Sequence, residues 1–107
     1  RKEFETELFI PGSKEGLNVE LDKAFRLNDF ITMGELIAYD ALNRNESCGG
    51  HFREEYQTEE GEAKRDDENF FYVACWEYQG SDDKAPVLYK EPLVYEAIKV
   101  QTRNYKS

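Results

Sequence analysis

The chain has 107 residues, 39% of them hydrophobic and 14% aromatic, a composition too apolar for a disordered segment and sufficient for one domain with a modest core. Its 23 acidic and 14 basic residues give a net charge of −9, which argues against binding to nucleic-acid phosphates or anionic lipid headgroups. No apolar run approaches the roughly 20 residues that a membrane-spanning helix needs, and no signal peptide is recognisable.

The N-terminal segment is predicted to form a short helix. Phe4, Leu8 and Phe9 have helical spacing across residues 1–10, and the sequence PGS that follows would end the helix. A helix of this length is marginal in water, so it needs a surface to pack on. The chain opens on residues that already look helical, and its only methionine is Met33. We therefore expect that the start was produced either by processing or by a boundary inside a longer protein, and we favour the boundary.

Residues 17–44 are predicted to form one long helix or two helices separated by a break. Apolar residues recur there with a period of about 3.6 residues, which is typical of a helix with a buried side. Asn18 is the predicted N-cap, and the Asn28-Asp29 pair is where a second helix could begin. Small residues such as Gly34 and Ala38 would allow another helix to approach closely.

Residues 45–68 are predicted to be an irregular, strongly acidic loop. Unstructured loops longer than about 15 residues are uncommon in compact domains and are usually functional or held in place by other parts of the protein. Together with a helical part over 1–44, a hairpin over 69–96 and a tail over 97–107, this loop makes the predicted fold class α+β within a single domain, 1–107.

The hairpin is predicted from two segments, 69–78 and 87–96, that alternate in the manner of strands on either side of turn-forming residues. Pro92 cannot donate a backbone hydrogen bond, so the second strand lies at an edge or bends there. The first strand has apolar side chains on both faces: Phe70, Tyr72, Trp76 and Tyr78 on one, and Phe71, Val73 and Cys75 on the other. We predict that one face packs on the helix over 17–44 and that the second is exposed or covered by another protein surface.

Three residues are candidates for a site of metal binding or catalysis. Cys48 and His51 have a spacing compatible with half of a zinc site or with a thiol–imidazole pair, but only Cys75 remains as a further sulfur or nitrogen ligand. The ligand set is therefore incomplete, and we interpret His51 as a structural residue of an ordered loop. Both cysteines are predicted to be reduced thiols that bind no metal.

The acidic runs at 59–62 and 66–68 do not have the ligand spacing of a calcium-binding loop, so they are interpreted as solvated surface. The sequence also contains no glycine-rich dinucleotide or phosphate motif and no nucleophile elbow. From composition, periodicity and spacing alone, this is an acidic α+β domain with no recognisable active site.

Two linked motifs resemble a known family. Residues 41–55 read ALNRNESCGGHFREE, which is similar to the A-L-x-R-x-E-S-R-G-x-H-x-R-x-D segment of the C-terminal domain of succinate dehydrogenase and fumarate reductase flavoproteins. Residues 65–70 read RDDENF and resemble R-D-D-x-N-W of that family. The helix before the first motif, the hairpin after the second and a final R-x-Y over 103–105 extend the resemblance over nearly the whole chain.

The sequence departs from the family pattern at two places. Cys48 stands where the family usually has arginine, and the connection over 55–64 is longer than the common one. These differences suggest a divergent branch, nearer to fumarate-reductase-like bacterial enzymes, and leave the physiological direction of the reaction open. L-aspartate oxidase shares the flavoprotein architecture and is a related alternative.

The resemblance implies that the chemistry lies elsewhere in the parent protein. The family binds FAD in an upstream dinucleotide-binding domain and holds succinate or fumarate with upstream His and Arg residues, so no catalytic, cofactor-binding or metal residue is assigned to this chain, including His51 and Arg53. The implied partners are that flavin-binding domain, which would cover the second face of the hairpin, an iron–sulfur subunit and, indirectly, a membrane anchor. The implied location is the cytoplasm, with the parent at the cytoplasmic face of the inner membrane.

A free-standing acidic module that binds a basic protein through its aromatic hairpin is the alternative from a different class. Self-association of the chain through the same face is a further expectation. A flavin-binding motif upstream in the same reading frame would remove the module interpretation.

Overall fold

The computed structural model describes residues 1–12 and 16–104. The chain forms two compact units, 1–42 and 43–107. The elements in chain order are α1 (Lys2–Glu7), α2 (Val19–Asn43), α3 (Asp67–Phe70), β1 (Tyr72–Glu77) and β2 (Val87–Pro92). A helix-rich N-terminal part and a two-stranded hairpin confirm the α+β class. The single domain over 1–107 stays a prediction.

The first helix is shorter than predicted. α1 ends at Glu7, and Leu8 already has extended backbone angles (φ −65°, ψ 127°), so the expectation of a helix reaching residue 10 was wrong. The backbone leaves the helix before the Pro11-Gly12 signal because a six-residue helix has few internal hydrogen bonds to hold its last turn. Ser13, the last residue of the predicted stop signal, lies outside the described residues.

The second helix is continuous, so of the two alternatives the single long helix is correct. It begins as predicted: Asn18 Oδ1 accepts a hydrogen bond from the backbone N of Leu21 at 3.1 Å. The carbonyl of Asn18 also accepts the first helical bond, from Asp22 N at 3.2 Å. The Asn28-Asp29 pair lies inside the helix rather than at a second start.

Apolar side chains are exposed around the whole circumference of α2. The large ones that are more than a third exposed include Leu21, Phe25, Leu27, Phe30, Met33 and Ile37. Charged residues are interspersed among them along the helix. Across residues 1–12 and 16–104 no hydrophobic side chain is fully buried. None of the helices in these ranges is long and apolar enough to cross a bilayer.

Replacing the N-cap is expected to destabilise the start of α2. In Asn18→Ala the backbone N–H of Leu21 loses its acceptor, and caps of this kind contribute about 1 kcal/mol. Far-UV circular dichroism should show a loss of helix signal and a lower midpoint of thermal unfolding. Asn18→Asp keeps an acceptor oxygen and should retain most of the signal; an equal loss in both variants would contradict the capping role.

The first strand begins later than predicted because a helical turn precedes it. Asp66 caps α3 by accepting a hydrogen bond from the backbone N of Asn69 at 3.1 Å. Asn69 and Phe70 are therefore helical, and the expectation that the strand begins at residue 69 was wrong. The second strand ends at Pro92 rather than at residue 96, because proline cannot donate to the ladder.

The hairpin has one half-buried and one exposed face, as its alternation predicted. β1 and β2 are antiparallel, and Trp76 pairs with Leu88 on the half-buried face. On the opposite face Cys75 pairs with Tyr89, which is 55% exposed, and Val73 is 50% exposed. Of the predicted second face, Val73 and Cys75 are therefore exposed as expected, whereas Phe71 is half-buried and packs against the ring of Tyr95. Packing of the other face on the helix over 17–44 stays a prediction.

Besides Phe70 and Phe71, which precede β1, one further aromatic residue of the predicted strand lies outside β1. Tyr78 was assigned to the face of Tyr72 and Trp76, but it follows the end of β1 and is 66% exposed. Alternation no longer applies beyond Glu77, because the chain leaves the ladder there.

Candidate functional site

The two sequence motifs meet at a buried carboxylate. Glu46, only 3% exposed, accepts a hydrogen bond from Arg44 Nη1 through Oε1 at 2.9 Å. Its other oxygen, Oε2, accepts one from the backbone N of Asp66, also at 2.9 Å. A buried carboxylate needs partners of this kind because an unpaired charge is costly away from water. Glu46 therefore ties the 41–55 motif to the 65–70 motif.

The next residue, Ser47, is fully buried and fixes the turn that follows. Its Oγ accepts a hydrogen bond from the backbone N of Arg53 at 2.9 Å and donates to the carbonyl of Arg53 at 3.2 Å. The backbone N of Ser47 donates to the carbonyl of Lys64 at 2.9 Å. A small hydroxyl fits here because it serves as donor and acceptor at once.

Cys48 and His51 are brought together by their backbones. Each donates its N–H to the carbonyl of the other, at 2.8 and 3.1 Å, and Gly49 makes the intervening turn with φ +59°. The ring of His51 contacts a different group: Nε2 lies 3.0 Å from the carbonyl oxygen of Arg44. Because that oxygen can only accept, Nε2 carries the proton and donates. His51 thus fastens the end of α2 to the turn.

Arg44 connects this turn to the hairpin. Besides Glu46, its guanidinium donates to the carbonyl of Phe70 at 2.9 Å and lies 5.0 Å from the ring centre of Tyr72. Lys90 Nζ lies 4.8 Å from the centre of the same ring, so two cations contact Tyr72. Contacts of this kind contribute about 0.5–2 kcal/mol each, depending on burial.

Arg53 lies over the outer side of the same turn. It binds Glu55 Oε1 through Nε and Nη2, at 2.9 and 2.6 Å, and donates to Asn45 Oδ1 at 2.9 Å. Its guanidinium carbon lies 5.2 Å from the ring centre of Tyr56. A hydrogen bond from the backbone of Glu55 and the hydrogen bonds from Arg53 lower the pKa of the Glu55 carboxyl.

Arg65, the first residue of the second motif, binds both carboxylate oxygens of Asp67. Its Nη1 donates to the carbonyl of Gln101 at 3.0 Å. The hydrogen bonds to Asp67 raise the pKa of Arg65, so its charge is permanent at any physiological pH.

The acidic segment is more ordered than its composition predicts. Gln57 and Ala63 form a second small bridge, and Thr58 closes the turn between them by accepting hydrogen bonds from Gly61 and Glu62. Glu59 and Glu60 are exposed in that turn. Within the ranges 1–12 and 16–104 no group of three or more His, Cys, Asp or Glu side chains is arranged to hold a metal ion.

The three candidate residues do not form one site. Cys48 and His51 share one turn, whereas Cys75 lies on the exposed face of the hairpin, and both cysteines are free thiols. The contacts missed from the sequence are those that join the motifs, from Glu46 to Asp66 and from Arg44 to the Phe70 carbonyl. The 20 to 26 residues that separate these partners leave no local pattern that could have indicated them.

The helical N-terminal part, the polar motif and the hairpin define an α+β architecture, and the buried polar groups of the motif, Glu46 and Ser47, are bonded to other parts of the unit formed by residues 43–107. A family model described as the C-terminal part of the fumarate reductase flavoprotein matches residues 1–105. The chain therefore belongs to the family of C-terminal domains of the succinate dehydrogenase and fumarate reductase flavoproteins. A search of curated proteins and a search of solved structures gave no match.

Membership places the chain in a family of oxidoreductase flavoproteins, whose parent proteins carry FAD. The match also confirms the resemblance carried by the two motifs, including the segment with Cys48 in place of arginine. Arg103 of the final R-x-Y is described and exposed, whereas Tyr105 lies outside the described residues.

Proposed function

We propose that this chain is a non-catalytic structural domain of a flavoprotein subunit that interconverts succinate and fumarate with FAD. The observation that carries this proposal is the use of the motif's polar side chains. Arg44, His51, Arg53 and Arg65 each donate to a carbonyl or a carboxylate within residues 43–107. Groups bonded in this way hold a fold together, and none of them needs to face a substrate.

The exposed apolar surface supports a role in assembly with the flavin-binding domain of the same parent chain. α2 exposes large apolar side chains such as Phe25, Phe30 and Ile37, and the hairpin exposes Val73 and Tyr89 on one face. Soluble proteins seldom leave apolar patches of more than a few hundred Å² uncovered. The occupant would be the flavin-binding part of the same protein, a proposal that the family's description as the C-terminal part of a flavoprotein supports.

The wider setting follows from the same proposal. The parent would act in electron transport and the tricarboxylic acid cycle, in a bacterial cell, with an iron–sulfur subunit as its electron partner and a membrane anchor beyond it. It would lie at the cytoplasmic face of the inner membrane. The family match supports membership in a flavoprotein family, and the pathway, the partner subunits and the location are proposed in addition.

The test is His51→Ala in the full-length flavoprotein, measured as the rate of succinate oxidation with an artificial electron acceptor. We expect kcat and KM to stay within about threefold of the unsubstituted enzyme, while the midpoint of thermal unfolding falls because the Arg44 carbonyl loses the His51 donor and keeps that of Arg53. A residue acting in proton transfer would instead contribute about 10²–10⁴-fold to the rate. A loss of that size with unchanged stability would overturn the proposal.

A further inference from the structure

The exposed face of the hairpin carries a pattern of charge as well as apolar side chains. Directly opposite residues of an antiparallel pair lie on the same face, and three such pairs form this one: Val73 with Glu91, Cys75 with Tyr89, and Glu77 with Val87. The pair of Cys75 and Tyr89 lies at the centre, and each end has one valine and one carboxylate. Because the valines are on opposite strands, the two carboxylates lie at diagonal corners, about 13 Å apart along the strands.

The strands supply no positive charge to this face. Lys90 is the only basic residue of β1 and β2, and it lies on the opposite face, with Nζ 4.8 Å from the ring centre of Tyr72. At one corner the Glu77 carboxylate accepts a hydrogen bond from the hydroxyl of Tyr89, which raises the pKa of Tyr89. The negative charge of Glu77 is thereby held beside the centre of the face.

We propose that this face docks on a protein surface that is apolar at its centre and carries a Lys or Arg side chain opposite each of Glu77 and Glu91. The inference rests on the proposed function for the identity of that surface, the flavin-binding part of the parent protein, and adds the charges that the surface must present. A carboxylate that loses water on docking needs a cation or another donor as its partner, because an unpaired buried charge is costly.

A second copy of the chain does not meet this requirement. Its own hairpin face would bring two further carboxylates and no strand cation, so Glu77 and Glu91 would be covered without a partner. Two chains that each have a net charge of −9 also repel one another. The charges therefore favour a basic partner surface over self-association through this face.

The thiol of Cys75 reports whether the face is covered, because it is free, exposed and central. In the full-length flavoprotein we expect a maleimide to label Cys75 at least about tenfold more slowly than in the same protein unfolded in urea. In Glu77→Lys/Glu91→Lys cations face cations, so the rate should return to within about threefold of the unfolded value. Mass spectrometry of the peptides separates Cys75 from Cys48.

Two further variants make the test specific to charge on this face. Glu54→Lys/Glu59→Lys makes the same change in net charge at two exposed carboxylates outside the hairpin, and should leave Cys75 slow to react. Glu77→Gln/Glu91→Gln keeps an acceptor for the Tyr89 hydroxyl and introduces no repulsion, so an intermediate rate is expected even if the lysine variant folds poorly.

Fast labelling of Cys75 in the native full-length protein would overturn the proposal, since the face would then be open. So would slow labelling that persists in both hairpin variants, or an equal acceleration in Glu54→Lys/Glu59→Lys. The flavin absorbance of the same preparation tests the proposed function separately. A preparation without flavin would contradict that function, and the Cys75 rates would still decide whether a basic surface covers the hairpin.

Discussion

Glu46→Ala should lower the free energy of unfolding of the 43–107 unit by about 3–5 kcal/mol, the range for breaking a buried ion pair by removing one partner. Arg44 and Glu46 have side chains only 17% and 4% exposed, so water can replace the lost carboxylate only in part. The substitution also leaves the backbone N–H of Asp66 without the acceptor it has in the native structure. Because Asp66 caps α3, the loss extends to the turn that begins the hairpin.

The measurement is urea unfolding followed by the fluorescence of Trp76, the only tryptophan, which lies in β1. Glu46→Gln keeps an oxygen for Asp66 N but removes the charge, so it should have an intermediate effect. Glu55→Ala removes another arginine-bound carboxylate, but an exposed one, and should leave the urea midpoint close to that of the unsubstituted chain. An equal loss of unfolding free energy in Glu46→Ala and Glu55→Ala would contradict the prediction, because it would mean that the burial of Glu46 adds nothing to its effect on stability.

Ser47→Val should destabilise the same unit by about 3 kcal/mol through two separate effects. Ser47 is fully enclosed, so the added methyl groups force neighbouring atoms apart, at a cost of about 1–3 kcal/mol. Loss of the hydroxyl also leaves the N–H and carbonyl of Arg53 without the partner they have in the native turn, at about 1–3 kcal/mol.

Two further substitutions separate these effects in the same unfolding experiment. Ser47→Ala removes the hydroxyl without adding volume, and Ser47→Thr adds a methyl group while keeping the hydroxyl. The loss of unfolding free energy in Ser47→Ala and in Ser47→Thr should each be smaller than the loss in Ser47→Val. A Val variant as stable as the Ala variant would mean that the site has room for larger side chains, contrary to its complete burial.

Much of the fold could be predicted from local sequence because local interactions determine those parts. The Asn18 cap, the continuous apolar period through residue 43 and the alternation over 72–77 each depend on residues within a few positions of one another. The same reasoning misplaced the ends of α1 and of both strands. Those ends depend on competing local bonds, such as the Asp66 cap that turns Asn69 and Phe70 into helix.

The family also followed from the sequence, because its two motifs lie at characteristic positions in the chain and the family model spans residues 1–105. What the motifs do was decided by tertiary structure. Glu46 and Ser47 are buried because of what encloses them in the folded chain. Two hydrogen bonds join residues that are distant in sequence: one runs from Arg44 to the Phe70 carbonyl, and the other runs from Arg65 to the Gln101 carbonyl. Backbone carbonyls and amides are the partners in most of these contacts, and since every residue carries them, no residue type in the sequence could have indicated which one is bound.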